Sequence, residues 1–228
     1  SAPVIVWNVC RHCNMTCPHC YAAASKQPSS ADLSTREGLD LLDRLRALGV
    51  RVVVFSGGEP LLRADLFELL ARAKELGIAA QLSTNGVLID GPVAQRLAAV
   101  GVAYVGVSLD GLPDWNDRYR GFAGGFARAL RGLAHARAQG IKTGLRVTLT
   151  RRNAGMLWPL LDLARRRHIA RFYVSHLQYA GRGLKLQGDD LSVDETRSML
   201  WKLFEAADRN LVAGGRLQIV TGGNDSSG

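Results

Sequence analysis

Two rhythms of apolar residues alternate along this chain. Short runs such as Val4-Ile-Val-Trp-Asn-Val9 and Arg51-Val-Val-Val-Phe55 read as strands, and between them Leu39, Leu42 and Leu45 recur at helical spacing. A helix from about Thr35 to Leu48, ended by Gly49, therefore joins two strands into a β-α-β unit. The rhythm repeats. Leu66, Leu69, Leu70 and Ala73 mark a second helix before a strand from Ile78 to Leu82, and a helix over Pro92 to Val100 leads to a strand over Val102 to Leu109. Phe126, Ala129, Leu130 and Leu133 line a helix before the strand Lys142 to Leu149; Leu157, Leu160, Leu161 and Ala164 line another before Arg171 to Ser175.

Six strands alternating with helices predict parallel pairing through right-handed crossovers. A full eight-fold barrel takes about 250 residues, so the expected fold is α/β, a partial (β/α)6 barrel with an open six-stranded parallel sheet over residues 1–178. Residues 179–228 read as a C-terminal extension outside the barrel. It holds a glycine-rich turn Tyr179-Ala-Gly-Arg-Gly183, a polar loop through Asp190, a helix opened by Asp194 and Glu195 with Met199, Leu203, Phe204 and Ala207, and a possible strand Leu217 to Val220.

At 228 residues and 47% hydrophobic content, one domain is expected. No apolar run approaches the roughly 18 residues of a membrane helix, which points to a soluble, cytoplasmic protein without a membrane partner. The start at Ser1 and the stop after Thr221-Gly-Gly-Asn-Asp-Ser-Ser-Gly228 read as cut ends. The net charge of +9 is mostly arginine, as in Arg118, Arg120, Arg182, Arg151-Arg152 and Arg165-Arg166-Arg167. Arginine suits anionic ligands, although a single arginine is by default a solvated surface group, and the triplet suits a helix C-terminus. No basic stretch is interleaved with aromatics, so no nucleic-acid partner is expected.

Chemistry enters with Cys13-Asn-Met-Thr-Cys17-Pro-His-Cys20. This C-x3-C-x2-C spacing supplies three thiolates from one loop, whereas a cubane iron–sulfur cluster usually takes four protein sulfurs. One iron is left open for a ligand. Cys10 permits a four-ligand parsing, C-x2-C-x3-C-x2-C, but paired zinc knuckles are usually about 15 to 20 residues apart. Disulfides belong to secreted chains, and here there is no signal peptide.

Active sites of parallel α/β barrels sit at the strands' C-terminal ends. Strand two ends in Ser56-Gly57-Gly58-Glu59-Pro60, whose glycines allow close backbone approach and whose Glu59 offers a carboxylate to an ammonium group. Strand three ends in Ser83-Thr84-Asn85-Gly86 and strand four in Ser108-Leu109-Asp110-Gly111, residues that suit either a polar ligand or turn and cap chemistry. Arg146 lies inside the apolar fifth strand and calls for a partner, either a ligand carboxylate or an acid such as Glu59 or Asp110. His176, at the end of strand six, is placed to touch a substrate or its iron. Trp7, Tyr21 and Trp115 read as packing residues.

The C-x3-C-x2-C loop followed by Gly-Gly-Glu-Pro resembles the radical S-adenosylmethionine (SAM) family over nearly the whole chain. That resemblance implies a [4Fe-4S] cluster on Cys13, Cys17 and Cys20. It also implies SAM held by Gly57, Gly58, Glu59 and Pro60, by Ser83, Asn85, Ser108 and Asp110, by Arg146 at its carboxylate, and by His19 beside the adenine, where relatives usually carry an aromatic residue. Cys10 is expected to be a free thiol.

Within the family, Val6-Trp-Asn8, Ser108–Gly111 with Asp117-Arg-Tyr-Arg-Gly121, Gly144-Leu-Arg146 and Ser175–Gly183 look like members of heme d1 and siroheme-dependent haem biosynthesis. The implied reaction is reductive cleavage of SAM to a 5′-deoxyadenosyl radical, which removes propionates from a didecarboxysiroheme-type precursor. The implied partners are an anionic iron-tetrapyrrole substrate and an electron donor such as flavodoxin or ferredoxin. An auxiliary iron–sulfur cluster is expected only in a missing C-terminal region, because no cysteine follows Cys20. The alternatives are a radical SAM modifier of a ribosomal peptide and a non-catalytic iron–sulfur electron-transfer or sensor protein.

Overall fold

A computed structural model describes residues 3–222; the end of the expected extension, 223–228, lies outside them. Seven strands form one all-parallel sheet in chain order: β1 (Val4–Cys10), β2 (Val52–Gly57), β3 (Ala79–Thr84), β4 (Tyr104–Ser108), β5 (Lys142–Leu149), β6 (Arg171–His176) and β7 (Gln218–Gly222). The helices are α1 (Thr35–Ala47), α2 (Leu66–Glu75), α3 (Gly91–Ala99), α4 (Pro113–Arg120), α5 (Gly125–Ala138), α6 (Leu157–Arg166) and α7 (Val193–Val212). The open parallel α/β sheet is the expected one. It has one strand more than expected, because α7 returns the chain so that β7 pairs in parallel with β6, from Arg171↔Gln218 to Ser175↔Gly222.

The seventh strand's place in the sheet and an unexpected helix have local causes. The run Leu217-Gln-Ile-Val220 is short and half-buried, as suits an edge strand, and its burial depends on Leu203, Ala206 and Leu217 joining the main core. α4 has almost no apolar stripe, but Pro113 at its first turn and Gly121 in the left-handed conformation at its end bracket it. The polar loop expected up to Asp190 is a 3₁₀ helix over Gly181–Asp189.

Strand alternation separates core from site. In β5, Leu145, Val147 and Leu149 are buried against helices, whereas Arg146 and Thr148 face the opposite, concave side. Phe172 and Val174 of β6 pack into the core while Tyr173 and Ser175 face the concave side. Register aligns Ser108, Arg146 and Tyr173 across β4, β5 and β6. Arginine in an apolar strand is thereby explained. Its odd-numbered neighbours face the core, and its own side does not.

Helix starts follow their sequence signals, as where Ser34 and Glu37 reciprocate a capping box on α1 and Ser192 and Glu195 do so on α7. No helix among the described residues is long and apolar enough to cross a membrane.

If α7 and β7 belong to the same cooperative unit as the barrel, truncating the buried Leu203, 1% exposed, will weaken the whole domain. Leu203→Ala should cost about 2–4 kcal/mol. Urea unfolding followed by tryptophan fluorescence and circular dichroism should still show one coincident transition; two separated transitions would make the last unit an independent appendage.

Candidate active site

The strand C-termini surround one cavity of about 190 Å³ on the concave side of the sheet, lined among others by Cys13, Cys17, Cys20, Gly57, Gly58 and Arg146. The three thiols reach it from the loop after β1. Cys10 does not; a bulge at Asn8/Cys10 turns it toward the backbone behind, where its thiol donates to the Glu59 carbonyl at 3.3 Å. Among the described residues no three thiol, imidazole or carboxylate groups converge as a single metal ion requires. What sets Cys10 apart from the other three thiols is its contact with Glu59 O and its place outside the cavity lining.

The loop is held by its neighbours. Gly58 N–H donates to Cys10 O and Glu59 N–H to His12 O, each at 2.7 Å. Gly57 has φ +127°, and a side chain there would strike Cys10 O, while one at Gly58 would strike His12 O. The backbone these glycines approach is thus the cysteine loop itself. From the other side, Thr16 N–H donates to Arg120 O at 3.0 Å, and a side chain at Gly121 would strike Thr16. Arg182 completes the hold: its N–H donates to Cys20 O at 2.9 Å, its Nε to Cys17 O at 2.8 Å and its Nη1 to Ala24 O at 2.6 Å.

Two buried carboxylates lie beneath the cavity. Glu59 is fully buried, Oε1 accepting from Thr84 Oγ1 at 2.6 Å and Leu61 N–H at 3.1 Å, and Oε2 from Asn85 N–H at 2.8 Å. Burial pushes its carboxyl up, against the pull of these donors. Asp110, also fully buried, accepts from Arg120 Nε at 2.8 Å and Nη2 at 2.7 Å on Oδ2, and from Thr148 N–H at 2.9 Å on Oδ1. Burial raises its carboxyl as well, but the Arg120 guanidinium, His19 and the Thr148 N–H together outweigh it and hold Asp110 below the usual carboxylate range. Both residues support the wall with donors of the protein itself.

His19 stands 3.3 Å from Asp110 through Nε2 and stacks at 5.2 Å, nearly parallel, on Tyr119, which stacks in turn on Trp115 at 4.4 Å. Burial lowers the pKa of the imidazole against the opposing pull of Asp110, and the ring's other nitrogen is Nδ1. That Nδ1 and the Tyr119 hydroxyl are buried without a hydrogen-bond partner.

Arg146 makes no ion pair among the described residues, so neither Glu59 nor Asp110 is its partner; its guanidinium lies 4.8 Å over the Tyr173 ring. Ser83, Asn85, Ser108, His19 and His176 line the cavity too, Asn85 through a 2.7 Å bond to Asn14 that ties strand three to the cysteine loop. Pro60 is buried at the start of a short 3₁₀ helix behind the cavity. Trp7 packs on Phe55, but Tyr21 reaches the cavity wall and donates to Asn8 at 2.8 Å. The residues that sequence reasoning missed are Arg120 and Arg182, which look like surface cations when counted singly. Each stands beside a glycine that lets backbone close on it, and that pairing was the available signal.

The model of the Radical SAM superfamily matches residues 7–164. The chain belongs to the radical SAM superfamily. It is 44% identical over 226 residues to the Fe-coproporphyrin III synthase of Methanosarcina barkeri, covering 99% of this chain and 57% of that protein. It is 40% identical over 225 residues to the pre-heme d1 synthase of Dinoroseobacter shibae, covering 98% and 56%. The chain thus spans somewhat more than half the length of these relatives. Among solved structures, Streptococcus suis SuiB bound to S-adenosylmethionine matches with a TM-score of 0.81 at 20% identity, over 98% of this chain and 51% of that one. That likeness bears on the fold alone.

Membership implies a [4Fe-4S] cluster and SAM, and the radical SAM cavity seen here fits both. Three thiols from one loop line the same space, Arg146 faces it without an ion pair among the described residues, and His19 brings a buried Nδ1 without a partner to its wall. Burial pushes the Cys13 thiol up to about 11 and raises Cys17 as well, so cluster assembly must displace their protons. Reconstitution with iron and sulfide should load wild type and Cys10→Ala alike and fail with Cys17→Ala. Equal iron loss in the two variants, read by iron and sulfide analysis, would overturn the assignment of the cluster to Cys13, Cys17 and Cys20.

Proposed function

We propose that this chain is the catalytic part of a radical SAM enzyme of modified-tetrapyrrole biosynthesis, removing propionate side chains from a didecarboxysiroheme-type precursor on the route to heme d1. The supporting observation is a complete three-thiol cavity in a chain that shares 40% or more of its residues, over nearly its full length, with two relatives named for iron-porphyrin and heme d1 products. When bound, the reduced cluster and SAM supply hydrogen abstraction by a carbon radical.

The chain's own residues bind and orient. Cys13, Cys17 and Cys20 hold the cluster, and Gly57 and Gly58 fix the loop on which they stand. Arg146, held over Tyr173 and free of acids, takes the SAM carboxylate by a charge-assisted bond. Ser83, Asn85 and Ser108, beside it on the concave face, offer hydroxyl and amide groups to the polar parts of SAM. Glu59 and Asp110 act one step back: Glu59 orders Thr84 and Asn85, and Asp110 orders Thr148 and His19. His19, with its free Nδ1, receives the adenine amino group. His176 at the mouth meets the substrate. A flavodoxin or ferredoxin supplies the electron.

The deciding experiment is an anaerobic incubation of reconstituted protein with SAM, dithionite and didecarboxysiroheme, with mass analysis. The expected products are 5′-deoxyadenosine and a tetrapyrrole lighter by its propionate carbons. Deoxyadenosine with an unchanged tetrapyrrole would leave a peptide modifier as the better reading, and no deoxyadenosine would end every enzymatic one.

Arg146→Met should retain the cluster and weaken SAM binding by about 10- to 100-fold, the loss of one charge-assisted contact worth ~1.5–3 kcal/mol. Equilibrium binding to the reconstituted protein checks it.

A further inference from the structure

Arg120 is the charged group at the cavity that cysteine ligation and SAM binding leave without a task. Desolvation of a buried cation is expensive, yet Arg120 is only 6% exposed and its side chain lines the same cavity as Cys13, Cys17 and Cys20. It is fixed to the cysteine loop at both ends. Its carbonyl accepts from Thr16 N–H at 3.0 Å, and its Nη1 lies 4.0 Å from Sδ of Met15, the buried residue between Cys13 and Cys17. Nε and Nη2 are both turned to Asp110 Oδ2, which leaves the Nη1 edge toward Met15 and the cavity that the thiols line. The guanidinium therefore meets the cysteine loop at Met15, while Asp110 faces β5 through Thr148 and the same loop through His19, 3.3 Å from its Oδ2.

The other ionisable groups nearby differ in kind. Arg182 is bound to the neutral carbonyls of Cys17 and Ala24, His19 Nε2 stands 3.3 Å from Asp110, and Glu59 is engaged by Thr84, Asn85 and Leu61. Charge near an iron–sulfur cluster shifts its potential, because reduction adds one electron and one negative charge with no proton to cancel it. In a site this buried, a nearby guanidinium is weakly screened.

We propose that the Arg120–Asp110 pair sets the reduction potential of the cluster: Arg120 stabilises the reduced, more negative state, and Asp110 limits that stabilisation. Arg120 is on this account a positioning and tuning residue, not a ligand. The proposal rests on the cluster assignment to Cys13, Cys17 and Cys20, and it predicts opposite signs for the two partners. A purely architectural pair predicts no such opposition.

The test uses the whole chain, reconstituted anaerobically, with iron and sulfide counted and the potential read without SAM by dye-mediated dithionite titration and electron paramagnetic resonance. Arg120→Gln should move the potential of the one-electron couple negative by at least 59 mV, a tenfold change in the reduction equilibrium. Asp110→Asn, which keeps the carbonyl acceptor for Thr148, should move it positive, and Arg120→Lys should stay between Arg120→Gln and wild type. Shifts of the same sign, or none, would overturn the proposal. So would loss of iron from both Arg120→Gln and Asp110→Asn, which would assign the pair to holding the loop. If Arg120→Gln alone fails to load, the sign of the Asp110→Asn shift decides. A wild type that binds no cluster would instead sink the ligand assignment on which this rests.

Discussion

The peptide groups of the cysteine loop must find hydrogen bonds outside any helix or strand. Residues 11–30 contain neither, apart from one bridge between His12 and Ser25, and buried backbone without partners is costly. The partners come from two strand ends and one helix end. The turn after β2 supplies two N–H groups to the loop's carbonyls, the end of α4 supplies a carbonyl to Thr16, and Arg182 after β6 satisfies three carbonyls at once. Each contact needs backbone to come close, and a glycine stands at each approach: Gly57 and Gly58, Gly121, and Gly181, where a side chain would strike Tyr21 O. The motifs along the chain are in large part the means of fixing one loop.

That constraint explains why the acids and bases of the site are paired as they are. Glu59 and Asp110 are fully buried, so each must be satisfied by donors close at hand. Glu59 takes its donors from β3 and its own turn; Asp110 takes its from Arg120 and Thr148. Because these two acids are occupied, Arg146 on the concave face has no counter-charge among the described residues and lies over the Tyr173 ring. A ligand carboxylate is the partner its geometry invites. Structural pairing in the wall and chemical availability in the cavity are thus two sides of one distribution of charge.

Much of this was legible beforehand, for reasons that can be named. Strands such as Arg51–Phe55 and helices such as the one carrying Leu66, Leu69, Leu70 and Ala73 announce themselves because burial on one face imposes a period. The helix α4 did not, because Asp114, Asn116, Asp117 and Arg118 give it no apolar stripe. β7 did not join the sheet in prospect, because five residues on an edge carry little signal until α7 is seen to return them to β6. Arg120 was indistinguishable from its neighbour Arg118, since both are arginines on one short polar helix. Only the helix's direction buries one against Asp110.

The sequence by itself determined the family chemistry and the kind of fold: three thiols at C-x3-C-x2-C, a Gly-Gly-Glu-Pro turn after the next strand, and a strand–helix rhythm that leaves parallel pairing as the solution. These depend on local spacing, which the chain carries wherever it goes. The tertiary structure decided that Cys10 turns away from the other three, that Glu59 and Asp110 are satisfied within the wall, that Arg120 pairs with Asp110 beside the cysteine loop, and that Arg146 has no ion pair among the described residues. Those outcomes depend on which side chains meet across strands far apart in sequence. Register and burial settle such meetings, and spacing along the chain does not encode them.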